Sequence, residues 1–230
     1  LHLSIRRQRQ MCIRDRRGFL YYQGEEDVQR YADYSDMMQM LVKQWRMDWN
    51  DWNLPFLFVQ LPMYLADGEK DDSYWALQRE QQYIASMMIQ NAGMISLADC
   101  GEYDNIHPLD KKTPGERLFQ LAKNLVYDKQ GTITATAAQL FSDNGKLYVT
   151  FDHLHEKLVM QTANGCPFEI SGEDNLFYPA KADVIHGNML CISNPAVKFP
   201  SAVKYAWYNF GEAVLFTESG NPVSPFFKCV

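Results

Sequence analysis

The run Phe56-Leu57-Phe58-Val59-Gln60-Leu61 carries no charge and no polar alternation, which predicts a β-strand buried on both faces. Strands of that kind occur where helices cover both sides of a parallel sheet, so the neighbouring sequence should alternate strand and helix. Gly18-Phe19-Leu20-Tyr21-Tyr22 is a short apolar strand upstream. Between the two, residues 27–48 place Tyr31, Tyr34, Met37, Met38, Leu41, Val42 and Trp45 at helical spacing, the stripe of a core-facing helix. A second helix is expected from Tyr74, with Ser73 as its N-cap, ending at Asn91-Ala92-Gly93. Met94-Ile95-Ser96-Leu97-Ala98 reads as a third buried strand. A third helix is expected from Pro114 at its first position to Val126, with Leu118, Leu121, Ala122 and Leu125 inward. The order β-α-β-α-β-α predicts a doubly wound parallel sheet. Three strands are few for such a sheet, so further strands are expected to precede residue 18.

The pattern changes near Asp128-Lys129-Gln130-Gly131. Beyond it short strands recur, at 133–141, 146–151, 158–160, 168–170, 180–185, 189–193 and 202–207, separated by Gly- and Asn-containing turns. Asp143-Asn144-Gly145 is the strongest hairpin signal among them. An antiparallel sandwich or curled sheet is the expected architecture. The chain therefore divides into a parallel α/β part over 17–128 and a β-rich accessory part over 129–230.

Chemistry is expected at the strand exits of the first part, because open α/β sheets bind ligands outside the carboxyl ends of their strands. The first exit, Gln23-Gly24-Glu25-Glu26, is a tight turn carrying an amide and two carboxylates. The third, residues 99–112, holds His107 with Asp104 three positions before it, a spacing that suits a carboxylate orienting a general-base imidazole. The charged loop 62–73, on the same edge, is a solvated connection or a substrate rim.

Composition excludes several functions. The chain has 230 residues, 47% hydrophobic, and a net charge of −6. Six Arg against one Asp in residues 1–17 make that head +5 and leave −11 on the remainder, which argues against a nucleic-acid partner. The head begins without Met and lacks the apolar core and cleavage site of a signal peptide, so residues 1–16 are expected to be a non-native leader. Five scattered cysteines form no metal-ligand spacing, and His153 with His155 lacks a third ligand, so no metal and no cofactor is expected. No apolar run is long enough to span a membrane.

The motifs Tyr21-Tyr22-Gln23-Gly24-Glu25, Trp45-Arg46, Arg79-Glu80-x-Gln82, Ile106-His107-Pro108-x-x-Lys111 and Gly115-x-Arg117-Leu118 occur in this order. Phe168-x-Ile170-x-Gly172-Glu173-Asp174, Val203-x-Tyr205-Ala206-Trp207 and Pro222-x-Ser224-Pro225-Phe226 follow in the tail. Together they resemble the sialate O-acetylesterases, carbohydrate esterases of the SGNH hydrolase group, over nearly everything from Arg17 to Val230. The resemblance implies an incomplete SGNH-type three-layer parallel sheet followed by an antiparallel, sandwich-like β-rich domain. It also implies a serine esterase acting on O-acetylated glycans such as sialic acids, and a protein usually exported. His107 would be the general base and Gln23 an oxyanion donor, with Asp104 a candidate partner of His107 and Gly24 and Glu25 shaping the turn.

The family's nucleophilic serine lies in a Gly-Gln-Ser-Asn or Gly-Asp-Ser block, and no such block occurs here. Ser35, Ser73 and Ser96 fall in helix, cap and strand contexts, so the chain alone is expected to be inactive. Two other readings compete: an acetylxylan esterase of the same fold, and a glycan-binding module using Tyr205, Trp207, Tyr208 and Phe210. Tyr205 and Trp207 alternate on one strand face as core residues do, which favours packing.

Overall fold

The structure, a computed structural model, describes residues 17–162 and 164–230. The expected leader, residues 1–16, lies outside the described residues. Strands β1 (Phe19–Tyr21), β2 (Phe56–Gln60) and β3 (Ala92–Ser96) form a parallel sheet in the order β1-β2-β3, with Phe19 opposite Phe56 and Phe56 opposite Ala92. Every residue of β2 is buried, as its unbroken apolar run requires. Successive residues serve opposite faces. Phe56 and Phe58 pack with Tyr34, Met38 and Val42 of α1 (Tyr34–Asp48) and Ala85 of α2 (Tyr74–Met88). Leu57 and Val59 pack with Leu118 and Leu121 of α3 (Lys112–Leu125). The sheet is therefore covered by helices on both faces.

Three helix starts differ from expectation, one of them because α3 begins at Lys112, two residues before the Pro114 expected at its first position. The single helix expected over 27–48 is a 3-10 segment, Glu25–Asp33, kinked at Arg30 within it, followed by α1. Val28 is the one buried residue of that first segment, so no continuous stripe holds it in α-helical register. Ser73 sits at φ 64° and makes no side-chain cap. Asp71 and Asp72 do that work instead, their Oδ1 atoms accepting from Ser73 N and Tyr74 N at 2.9 and 3.0 Å. The start of α3 is likewise capped by Asp110, whose Oδ1 accepts from Lys112 N and Thr113 N. The Thr113 hydroxyl foremost, then these backbone bonds, hold the Asp110 carboxyl below its usual range.

Beyond residue 131 the chain forms two four-stranded sheets. One has the order β4-β5-β10-β9: β4 (Thr136–Asp143), β5 (Lys146–Asp152), β9 (Lys181–Ile185) and β10 (Met189–Ser193). The other has the order β13-β11-β7-β8: β7 (Phe168–Ser171), β8 (Tyr178–Pro179), β11 (Ala202–Tyr205) and β13 (Phe226–Cys229). A two-stranded pair joins β6 (Leu158–Met160) to β12 (Leu215–Thr217). The Asn144-Gly145 hairpin forms as expected, with φ 48° and 74° and Asp143 opposite Lys146. Leu147, Val149, Leu190 and Ile192 of the first sheet meet Phe168, Ile170, Val203, Tyr205 and Phe226 of the second in one core. Met63 and Ala98, just past the exits of β2 and β3, belong to the same core. Gln60 Nε2 also donates to Ser224 Oγ at 2.8 Å, so the strand exits and the β-rich part are packed together.

Candidate active site

All three parallel strands leave the sheet at one edge. At the β1 exit Gly24 has φ 145°, a conformation that disfavours a side chain, and a Cβ there would lie 3.1 Å from both Gln78 Nε2 and Gln82 Nε2. Gln82 is fully buried and knits two exits together. Its Oε1 accepts from Leu61 N at 2.8 Å, while Nε2 lies 3.3 Å from the carbonyl oxygens of Gln23 and Val59. Gln82→Leu strands the Leu61 N–H and is expected to cost about 2–3 kcal/mol, read from the urea midpoint.

The Gln23 side chain is held at both ends. Tyr21 OH donates to Oε1 at 2.9 Å, and Nε2 donates to Asp27 Oδ2 at 2.7 Å. Nε2 carries two hydrogens, so one remains for another acceptor. With Tyr21, Asp27, Tyr34, Met37, Met38 and Leu41, Gln23 lines a cavity of about 240 Å³ on the α1 side of the exit. His107 is not among its lining residues. Burial, reinforced by Glu25 and Cys100, pushes the Tyr22 hydroxyl up to about 12, so it stays protonated at neutral pH.

His107 is exposed in the loop that follows β3. Its backbone N–H donates to Asn105 Oδ1 at 3.1 Å. Glu102 organises the loop from below. One carboxylate oxygen accepts from Leu109 N and the other from Asn105 Nδ2, each at 2.6 Å, bracketing the histidine. Asp99 and Arg117 clamp the loop to α3 through two 2.6 Å contacts, and Arg117 Nη1 also donates to Ser96 O. Asp104, at φ 56°, accepts at Oδ1 from Asp67 N at 2.9 Å, and no hydrogen bond joins it to the His107 ring among the described residues. The sequence offered no signal for Glu102. Arg117 stood in a motif without an assigned role.

The two exits meet through Tyr22. Lys111 Nζ stands 5.6 Å from the Tyr22 ring centroid, and Tyr22 and Ile106 both pack against the cluster of Val28, Leu61 and Trp75. The turn carrying Gln23, Gly24 and Glu25 and the loop carrying Asp104 and His107 thus share the carboxyl edge of the sheet.

Among the described residues no serine hydroxyl is hydrogen-bonded to the His107 ring. Ser96 Oγ accepts from Ala98 N, and Ser224 Oγ is bound to Gln60. Tyr205 is fully buried, its hydroxyl accepting from Val214 N and Leu215 N, and Trp207 is buried as well. Those aromatics build the core and do not present a sugar platform. His153 and His155 line a polar cleft with Lys123 and Glu156, and among the described residues no group of three or more His, Cys, Asp or Glu could hold a metal ion.

Residues 3–124 match the family described as carbohydrate esterase, sialic acid-specific acetylesterase. Sialate O-acetylesterase of Mus musculus is 27% identical over 240 aligned positions, covering 91% of this chain and 44% of the relative. The Homo sapiens enzyme is 25% identical over 181, covering 70% and 34%. A crystal structure of a carbohydrate acetylesterase from Xanthomonas citri superposes with a TM-score of 0.85 at 32% identity, over 92% of this chain and 50% of that one. The chain spans about half the length of the relatives it matches. With more than half its residues matched, the chain belongs to the carbohydrate esterase family of sialic acid-specific acetylesterases.

Proposed function

We propose that this chain is the general-base half of a serine carbohydrate O-acetylesterase with an SGNH-type sheet, whose nucleophilic hydroxyl lies outside these 230 residues. A serine hydroxyl attacks the acetyl carbonyl as His107 accepts its proton. The tetrahedral oxyanion receives the free hydrogen of Gln23 Nε2 and collapses, and His107 returns the proton to the departing sugar oxygen. Water activated by the same imidazole then releases acetate. Asp104 Oδ2, which has no described partner, would orient His107 through a contact formed only when substrate fills the site.

One observation supports this reading: Lys111 stands over the Tyr22 ring, and Tyr22 and Ile106 pack against one cluster, so the Gln23 turn and the His107 loop lie along one sheet edge. Carboxylates at Glu25, Asp27, Asp104 and Asp110 surround that edge, which favours a neutral acetylated glycan beside the sialic acid expected from the family. The test compares acetate release from acetylated xylo-oligosaccharides, O-acetyl sialic acid and p-nitrophenyl acetate, by the 230-residue chain and by a version extended upstream. The chain alone is expected to show no turnover, and the extended protein to hydrolyse acetyl esters. Turnover by the chain alone that survives His107→Ala would overturn the assignment. Export belongs to the same reading and is checked by cell fractionation.

A further inference from the structure

Of the aromatics that the sequence offered for sugar binding, Tyr205 and Trp207 are buried and Tyr208 and Phe210 half-buried, but the structure exposes a different pair. Phe199 is 82% exposed and Tyr178 37%, and both line a groove of about 570 Å³ at the end of the β13-β11-β7-β8 sheet. Glu173, Asp174 and Lys198 line it with them, and none of the three forms an ion pair among the described residues. Asp174 Oδ1 accepts from Leu176 N in a tight turn, leaving Oδ2 without a described partner.

The walls are preformed. Asn194 Nδ2 donates to Pro179 O at 2.7 Å, and its Oδ1 accepts from Ala196 N at 2.7 Å. Ser201 N donates to Ser171 O at 2.8 Å, fastening the segment that carries Phe199 to β7. At Gly172 a Cβ would lie 3.3 Å from Phe199 O, so the two segments approach closely. A rigid groove loses little conformational freedom on binding.

We propose that this groove binds the backbone of a neutral oligosaccharide. Flat rings suit the C–H faces of pyranose units, whereas carboxylates accept hydrogen bonds from vicinal hydroxyls. A purely apolar partner would strip water from Glu173, Asp174 and Lys198 without replacing their hydrogen bonds. Two carboxylates against one ammonium repel an anionic sugar, so the site selects a neutral chain and differs in charge preference from a sialic acid site. It would hold the protein on the glycan whose acetyl groups the esterase edge removes. Binding is independent of catalysis.

The test is titration of the 230-residue chain with xylohexaose, cellohexaose and 3′-sialyllactose, followed by amide NMR. At least one neutral hexaose is expected to shift residues 172–174, 178 and 196–199, with sialyllactose ineffective there. Phe199→Ala, exposed and so expected to fold normally, should weaken binding about tenfold, and Phe199→Trp should restore it. Glu173→Gln should weaken it less. No shift with either neutral hexaose, or binding indifferent to Phe199→Ala, overturns the proposal. Concentration-dependent self-association that Phe199→Ala abolishes would overturn it too, assigning the patch to a second copy of the chain.

Discussion

His107→Ala, made in the upstream-extended esterase, is expected to lower kcat about a thousandfold while leaving KM within about threefold. The asymmetry follows from position. In the proposed mechanism the imidazole contributes through proton transfer to and from the reacting oxygens, so its removal should be felt in the transition state more than in the bound substrate. The ring is exposed and makes no described packing contact, so the variant should keep the wild-type unfolding midpoint, and lost activity cannot be blamed on lost fold. Asp104→Asn refines the assignment. A loss of about a hundredfold would put its second carboxylate oxygen on the imidazole in the working enzyme. A loss below about threefold would leave His107 oriented by the Glu102 and Asn105 bonds around it. Retention of full activity in His107→Ala would remove the general base from this chain altogether.

The second large effect is expected at Gly101, where a single methyl group should unseat the histidine loop. A Cβ at that position would lie 2.0 Å from Met63 O and 2.8 Å from Met63 N and C, inside any permissible contact with backbone. Met63 cannot easily yield. It is buried in the core shared by the two four-stranded sheets, and its neighbours are tied down by Leu61 N to Gln82 Oε1 and by Tyr64 N to Asn209 O. The segment that must move is therefore the one leading from Gly101 to His107. Gly101→Ala should destabilise the chain by about 3 kcal/mol in urea. It should also cut kcat of the extended enzyme about a hundredfold, because small displacements of a reacting group are costly. Gly115→Ala is the control. Nothing lies within 4 Å of a Cβ there, and it falls inside α3, so the change should stabilise the chain by roughly 0.5–1 kcal/mol through helix propensity. Equal stability of Gly101→Ala and wild type would show that the loop is free of Met63.

The sequence by itself determined the parallel half. Residues 56–61 admit few placements other than a strand covered on both faces, and the stripes of α1 and α3 supply the covers. Parallel strands all exit at one edge, so once three were recognised, the Gln23 turn and the His107 loop were bound to share it. The Asn144-Gly145 hairpin was equally legible, because its positive φ angles are a local demand that those residues satisfy cheaply. Strands β12 and β13 were not, since segments of three and four residues earn their strand geometry only from partners remote in the chain.

Hydrogen-bond partners were decided by tertiary structure alone. A carboxylate takes the nearest well-aimed donor, and for Asp104 that donor is the N–H of Asp67, presented by another loop. The same rule set the Glu102 carboxylate on Asn105 Nδ2 and Leu109 N, on either side of His107 in the chain, a role no local spacing marked. Exposure was decided in the same way. Tyr205 and Phe199 are aromatic residues six positions apart, yet one is fully buried and the other stands at 82% exposure; alternation with Trp207 pointed to burial of Tyr205, whereas no local pattern marked Phe199, whose exposure is set by the fold of the two sheets.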